Sequence, residues 1–263
     1  MNSRKQKEAD FHNMIRDEAL EGKKAEFENL TSNRKFYSIT RLSDDFVNDW
    51  IRGRCKDKKV LDYCCGNGGY AISFAKNGAD AVGIDISDVS IKNCKSRAQK
   101  EGIGKNVAFY VMDAEATEFP DNTFDVVTCL GVLHHLDTGK AFKEIARILK
   151  PDGEVICNEP LAYNPAFQLY RKMTPHLRTE WEMHHILSKK DIDRARKYFN
   201  TVDMKFFHLV SMGAVPFANS PLFKPALSIL EQVDNVLLRV PLMQWLSWQI
   251  VFTLSNPKGS KQL

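Results

Sequence analysis

The sequence has no strong excess of either charge. Its 37 Lys and Arg stand against 33 Asp and Glu, a net charge of +4 over 263 residues. The cations are scattered rather than gathered in blocks, which argues against nucleic acid as a partner. The densest basic stretches, Arg4–Lys7 and Lys56–Lys59, are broken by Gln6 and Asp57 and read as solvated surface. Paired-cysteine spacing is also missing: of the 6 cysteines, Cys64 and Cys65 are adjacent and none forms a CxxC, so reduced thiols in a cytoplasmic protein are expected. MNSRKQKEAD lacks the apolar run of an export signal. Two stretches lack Asp, Glu, Lys and Arg, Phe206–Phe223 and Val240–Pro257, but prolines and polar residues interrupt both, so no membrane span is read. Internal repeats are absent as well.

What is present is ordinary globular composition, 43% hydrophobic and 27% charged, arranged in a strongly patterned way. Residues 1–55 are polar with spaced apolar positions, among them Phe11, Ile15, Leu20, Phe27, Leu30, Phe46 and Trp50, which suits amphipathic helices, and Ser43 is a plausible N-cap for the helix leading to Trp50. From residue 58 short apolar runs alternate with helical stretches, the signature of βαβ units around a parallel sheet. The runs are Lys59–Tyr63, Ala79–Ile84, Val107–Val111, Phe124–Leu130 and Glu154–Cys157; the helical stretches are Tyr70–Asn77, Val89–Glu101 and Gly139–Leu149. After Pro160 comes an irregular stretch rich in aromatic and basic residues, then a helix over Ser188–Phe199 capped by Ser188. Thr201–Met212 and Trp248–Ser255 read as strands, with Pro-punctuated short helices between them at Gly213–Leu246 and a frayed tail at Asn256–Leu263.

The segment Val60-Leu-Asp-Tyr-Cys-Cys-Gly-Asn-Gly-Gly-Tyr-Ala71 is a strand, a small-residue turn and a helix start. Its glycines permit close backbone approach of a ligand, but the loop alone also fits the G-x-G-x-x-A fingerprint of nicotinamide and flavin dinucleotides. Asp85, about 20 residues on, is placed to bind ribose hydroxyls in either case. Asp62, just before the loop, separates the two. A pyrophosphate there would meet a like charge, whereas the ammonium and sulfonium of S-adenosylmethionine would be attracted. Asp113, in Tyr110-Val-Met-Asp-Ala-Glu115, ends the third strand and could accept from an adenine amino group. Three acids at the carboxyl ends of three consecutive strands converge on the crevice where open α/β sheets bind ligands.

With these motifs the chain resembles the class I S-adenosylmethionine-dependent methyltransferases of the small-molecule type. The likeness rests on Val60-Leu-Asp-Tyr-Cys-Cys-Gly-Asn-Gly68, Gly83-Ile-Asp-Ile-Ser87, Asp113-Ala-Glu115, Phe124-Asp-Val-Val-Thr-Cys-Leu-Gly-Val-Leu-His-His-Leu136 and Leu149-Lys-Pro-Asp-Gly-Glu154, and spans residues 58–160. It implies a Rossmann-like, seven-stranded, mostly parallel sheet with helices on both faces, N-terminal helices and a helical insertion between the last two strands. The expected parts are an N-terminal helical cap (1–55), the donor-binding core (56–212) with an acceptor loop (160–187), the insertion (213–246), and the last strand and tail (247–263). S-adenosylmethionine is the expected cofactor, S-adenosylhomocysteine its product. The resemblance places Asp62 and Gly66 at the methionine moiety, Asp85 on the ribose, Asp113 with the Ala114 backbone at the adenine and Leu130 beside the methionine, with Gly68 and Ile86 as further cofactor-binding residues. Cys64 stands where the family often has Gly or Ala, and Tyr37 could close over the cofactor, or simply be a core aromatic. A donor-binding protein without chemistry and an NAD-type oxidoreductase are the alternatives.

Methyl transfer needs the acceptor lone pair, the methyl carbon and the sulfonium in line, plus a base if the nucleophile starts protonated. His134, His135 and Glu159 follow the fourth and fifth strands and are the candidates for that chemistry. Tyr163, Arg178, His184 and His185 are candidates for holding the acceptor, since charges interleaved with Trp181 in an irregular segment suit a polar pocket. A metal centre of the four histidines with Glu159 is disfavoured because neighbouring side chains diverge, and no metal is expected. The acceptor is expected to be a small or lipid-like metabolite methylated on oxygen or nitrogen. The apolar insertion reads as a cap, as a lid over a hydrophobic acceptor, or as a surface for peripheral membrane contact or a homodimer.

Overall fold

The computed structural model describes residues 3–16 and 32–258; the expected helical positions at Leu20, Phe27 and Leu30 lie outside the described residues. Seven strands form one sheet in the order β3-β2-β1-β4-β5-β7-β6. They are β1 (Lys59–Tyr63), β2 (Asp80–Asp85), β3 (Val107–Val111), β4 (Phe124–Leu130), β5 (Leu149–Pro160), β6 (Phe199–Phe207) and β7 (Gln249–Pro257). The first five pair in parallel, and β7 runs antiparallel between β5 and β6. The strands read as apolar runs because helices cover both faces of the sheet.

The helices among the described residues are α1 (Ser3–Arg16), α2 (Arg41–Arg52), α3 (Gly69–Lys76), α4 (Asp88–Lys100), α5 (Thr138–Ile148), α6 (Pro165–Met173), α7 (Glu180–His184), α8 (Lys189–Tyr198), α9 (Phe223–Leu237) and α10 (Pro241–Gln244). Two cores flank the sheet. Leu61, Tyr63, Val127, Phe142, Ile145 and Phe252 pack on one face; Val60, Val47, Trp50, Ile72, Phe74 and Phe109 pack on the other. Adjacent Val60 and Leu61 thus serve opposite cores, as strand alternation requires. A third cluster, including Ile39, Phe167, Val215, Leu227 and Trp248, roots the insertion on the body.

Several boundaries differ from the sequence reading for local reasons. Ser43 is not a cap: the helix starts at Arg41, and the buried Ser43 hydroxyl bonds the Thr40 carbonyl, His208 Nε2 at 3.0 Å and Gln249 Oε1 at 2.8 Å. Burial pulls the His208 imidazole down to about 4, so it joins this network uncharged. Strand β6 ends at Phe207 rather than Met212, and the chain turns away at His208, which adopts a left-handed φ of 63°. Strand β7 continues through Pro257, so Asn256 belongs to the sheet and not to a tail. The insertion holds one helix of 15 residues, α9, rather than only short ones. As read, Ser188 caps its helix, in a reciprocal box with Asp191.

The strand order reverses between β1 and β4, where chain connections leave in opposite directions and open a crevice at the strands' carboxyl ends.

Candidate functional site

Asp62, Asp85 and Asp113 all lie at this crevice. Asp62 is buried and accepts hydrogen bonds from the Ala71 N–H (3.0 Å), at the positive end of α3, and from Thr128 Oγ1 (3.4 Å). Burial nevertheless dominates and pushes its carboxyl up to about 7. Asp85 is also buried; one oxygen takes the Gly66 N–H and the other the Ser87 N–H, each at 2.9 Å, so it ties the glycine loop to the end of β2. Asp113 accepts from the Glu115 N–H at 3.0 Å.

The loop between β1 and α3 turns through left-handed conformations at Cys64 (φ 59°), Gly66 (54°) and Gly68 (71°). Cys64 thus adopts the backbone that favours glycine, which accounts for the glycine often found there in the family it resembles. A Cβ at Gly68 would lie 2.8 Å from Cys94 Sγ and 3.0 Å from the Phe109 ring. Gly68→Ala is therefore expected to destabilise the fold by about 1–3 kcal/mol, read as a lowered urea midpoint with unchanged slope.

A cavity of about 70 Å³ runs along the crevice, walled by Cys64, Asp85, Ile86, Asp113, Ala114 and His135 on the sheet side. Helix α1 forms the other wall through Arg4, Lys5, Glu8, His12 and Arg16. Arg4 and Lys5 pair with Glu115, Lys5 also with Asp113, and Arg16 Nη1 lies 3.3 Å from Asp85 Oδ2. Arg4 and Lys5 are hence not solvated surface. They pair with buried Glu115 and half-exposed Asp113, and the Arg4 guanidinium also stacks over Trp181 at 4.4 Å. Burial would raise the Glu115 carboxyl, but the Asp137 N–H, Arg4 and Lys5 outweigh it and hold it below the usual range. Sequence reasoning missed Arg4, Lys5, Glu8, His12, Arg16 and Glu115. Glu8, His12 and Arg16 recur four residues apart, a polar stripe on one helix face that was the available signal.

The adjacent histidines do not diverge as the sequence reading expected: their rings lie with centroids 4.2 Å apart, but each meets a different carboxylate. His135 Nδ1 is 3.1 Å from Glu8 Oε2. Burial works to lower its pKa, but the Glu8 hydrogen bond and the charges of Glu182, Glu8 and Glu159 prevail and raise it. His12, edge-on to His135 at 4.9 Å, is driven well down by burial and by the neighbouring cations. Glu8, His12 and His135 present ligand-type atoms within 4.8 Å of one another; the Glu8–His135 ion pair already uses two of the three.

His134, beside it, pairs with an acid of β5. Its Nδ1 is 2.7 Å from Glu159 Oε2, and Glu159 Oε1 takes the Val132 and Leu133 N–H groups, each at 2.7 Å. A carboxylate can only accept, so Nδ1 carries the proton and Nε2 is left as the basic nitrogen, 4.0 Å from Glu182 Oε1. Glu159 is fully buried. It is no free acid at the mouth but the group that fixes the His134 ring.

His134 opens on a second cavity of about 560 Å³, shared with Trp181, His184, His185 and Arg194, and Leu136 lines both cavities. His185 stacks flat on Trp181 at 3.5 Å. Two other acceptor candidates are engaged elsewhere. Arg178 is turned inward, donating to the Thr174 carbonyl at 2.7 Å with Nε 3.7 Å from Glu182. The Tyr163 hydroxyl accepts from the Lys189 N–H at 3.1 Å, and its ring meets Trp245. Tyr37 is exposed and edge-on to Trp248, and lines neither cavity; Leu130 is half-buried against the second core.

A cradle of this kind fits a cationic nucleoside: buried carboxylates for ribose and ammonium, and a loop with no side chain at Gly66 or Gly68. Comparison with known proteins agrees. Residues 61–157 match a methyltransferase domain family. The 27-O-demethylrifamycin SV methyltransferase of Amycolatopsis mediterranei is 37% identical over 120 residues, 45% of this chain and 43% of that one. The ubiquinone/menaquinone biosynthesis C-methyltransferase UbiE of Rickettsia akari is 36% identical over 138 residues, covering 49% and 54%. These matches span about half the length of either relative or less. The fold of the PH0226 protein from Pyrococcus horikoshii superposes with a TM-score of 0.55 at 22% identity, over 85% of this chain and 91% of that one. Residues 61–157 thus match a methyltransferase domain, and the motifs and sheet order around them are those of the class I S-adenosylmethionine-dependent methyltransferase fold.

Proposed function

We propose that the protein transfers a methyl group from S-adenosylmethionine to an oxygen or nitrogen of a small or lipid-like metabolite. Asp85 and Asp113 on the wall of one cavity, with Asp62 buried beside it near the end of β1 and bonded to the start of α3, carry the donor half of this reading. The donor supplies an electrophilic methyl on a sulfonium, an excellent leaving group, so the chain's own work is positioning and proton removal. Asp85 would hold the ribose hydroxyls and Asp113 the adenine edge, both taking over positions now held by cations of α1. Asp62 would face the ammonium. On the acceptor side, His134 Nε2 would take the proton of the nucleophile while Glu159 holds the ring, and the His134 cavity, with Trp181, His184 and His185, would seat the acceptor. The two relatives are named for different acceptor chemistries, one an O-demethyl compound and the other a C-methylation, so the acceptor atom is left to the site.

The test is calorimetry with S-adenosylhomocysteine across pH. With its pKa near 7, Asp62 is largely neutral at pH 6 and ionised at pH 8, so affinity for the ammonium-bearing ligand is expected to rise about tenfold across that window and level off above it. Asp62→Asn should flatten the rise. Binding of NAD but not of S-adenosylhomocysteine would overturn the reading in favour of an oxidoreductase. Donor binding with no turnover in a metabolite screen using radiolabelled methyl donor would leave a binding protein without chemistry.

A further inference from the structure

Helix α1 lies across the donor crevice, and the groups it meets there are the groups a donor has to use. Arg4, Glu8, His12 and Arg16 recur four residues apart with Lys5 beside them, and this side of the helix lines the cavity opposite Asp85 and Asp113. Lys5 pairs with Asp113. Arg16 Nη1 lies 3.3 Å from Asp85 Oδ2 and donates to Ser90 Oγ at 2.8 Å. The Arg16 guanidinium also lies against the glycine loop, since a Cβ at Gly66 would stand 3.3 Å from its Nη2. The adenine, ribose and methionine positions of the donor reading are thus each met by a cation of α1.

Space and packing point the same way. Between the helix and the sheet about 70 Å³ remains open, whereas pockets for ligands of this size take about 300–1,000 Å³. A nucleoside carrying an amino-acid tail has no room while α1 is docked. Charge, more than apolar packing, holds the helix in place. Of its apolar residues Ala9, Phe11, Met14 and Ile15, only Ala9 is buried. Besides the pairs of Lys5 and Arg16, Arg4 meets Glu115, Glu8 meets His135 and Thr179, and Asn13 bonds Asp88 and Ser87. A segment with so few buried apolar contacts opens at a lower free energy than the core.

We infer that α1 is an internal plug of the donor crevice, an autoinhibitory contact in which Lys5 and Arg16 occupy the carboxylates that the donor would use, so that the helix must undock before the donor binds. A cover that closes over a bound donor leaves room beneath it; here the cations sit on the binding groups themselves. The inference rests on the donor half of the proposed function. The apparent donor affinity is then the intrinsic affinity reduced by the fraction of molecules whose α1 is undocked.

Hydrogen exchange on the full wild-type chain, with and without saturating S-adenosylhomocysteine, tests it. Amides of residues 3–16 should exchange at least about fivefold faster with the ligand bound, because a free helix of this length frays. A cover over the donor would be protected instead. In calorimetry K5Q/R16Q, which keeps the Arg4–Glu115 pair, should bind S-adenosylhomocysteine about tenfold more tightly than the wild type. Exchange in α1 that is slowed or unchanged by the ligand, or an affinity in K5Q/R16Q equal to or below that of the wild type, overturns the plug and leaves the donor reading standing. Absence of S-adenosylhomocysteine binding to both proteins overturns the donor reading and the plug with it.

Discussion

Replacing Glu159 by glutamine is expected to lower methyl-transfer turnover by about 10²- to 10³-fold while leaving S-adenosylhomocysteine affinity within about twofold. Glu159 accepts three hydrogen bonds at 2.7 Å in a site closed to water, two from the Val132 and Leu133 N–H groups and one from His134. Glutamine has one acceptor oxygen and an NH2 group, so it cannot serve both sides. If its oxygen keeps the backbone, its NH2 faces His134 Nδ1, the imidazole proton moves to Nε2, and the basic nitrogen is lost. His134→Ala should show a comparable fall. The informative readout is kcat against KM with the acceptor found in the screen, together with the pH profile. A positioning role predicts a fall in kcat and loss of the acidic limb that protonation of His134 sets; a merely structural role predicts lowered stability with the profile intact. Unchanged kcat in Glu159→Gln would remove His134 from the mechanism.

Asp85→Ala is expected to weaken S-adenosylhomocysteine binding by about 10²- to 10³-fold in calorimetry, from the loss of two charge-assisted hydrogen bonds to ribose. Part of the loss would come through the loop, because the same carboxylate holds the Gly66 and Ser87 N–H groups at 2.9 Å. Asp85→Asn separates the contributions. Its oxygen can keep one of those N–H groups, so the loop is largely preserved, while the ribose loses its charged acceptor and affinity should fall to an intermediate value. Wild-type affinity in Asp85→Ala would overturn the ribose assignment.

The donor crevice was legible because its information is local. Strands β1, β3 and β4 match the apolar runs of the sequence end for end, since a parallel sheet covered by helices admits little else. Asp62, Asp85 and Asp113 follow from that: a carboxylate at the end of a parallel strand can only arrive at one edge of the sheet. The sequence marked Cys64 as a departure from the small residue often found there, but its left-handed φ of 59° is seen only in the structure.

Tertiary structure decided the rest. Arg4 and Glu115 are 111 residues apart in the chain, and Glu8 and Thr179 are 171 apart, so no window of sequence joins them. A polar helix such as α1 shows which side chains share a face but not which crevice that face will fill. His134 and His135 are neighbours with identical chemistry, and only the placement of Glu159 on β5 and Glu8 on α1 gives one a fixed basic nitrogen and the other an ion pair. Arg178 looked like an acceptor ligand until Thr174 and Glu182 claimed it. The sequence by itself determined the sheet, its turn chemistry and the carboxylates of the donor crevice, because periodicity and strand direction are properties of short segments. Which charges meet across the crevice is set by contacts between distant segments whose energies exist only once the chain has folded.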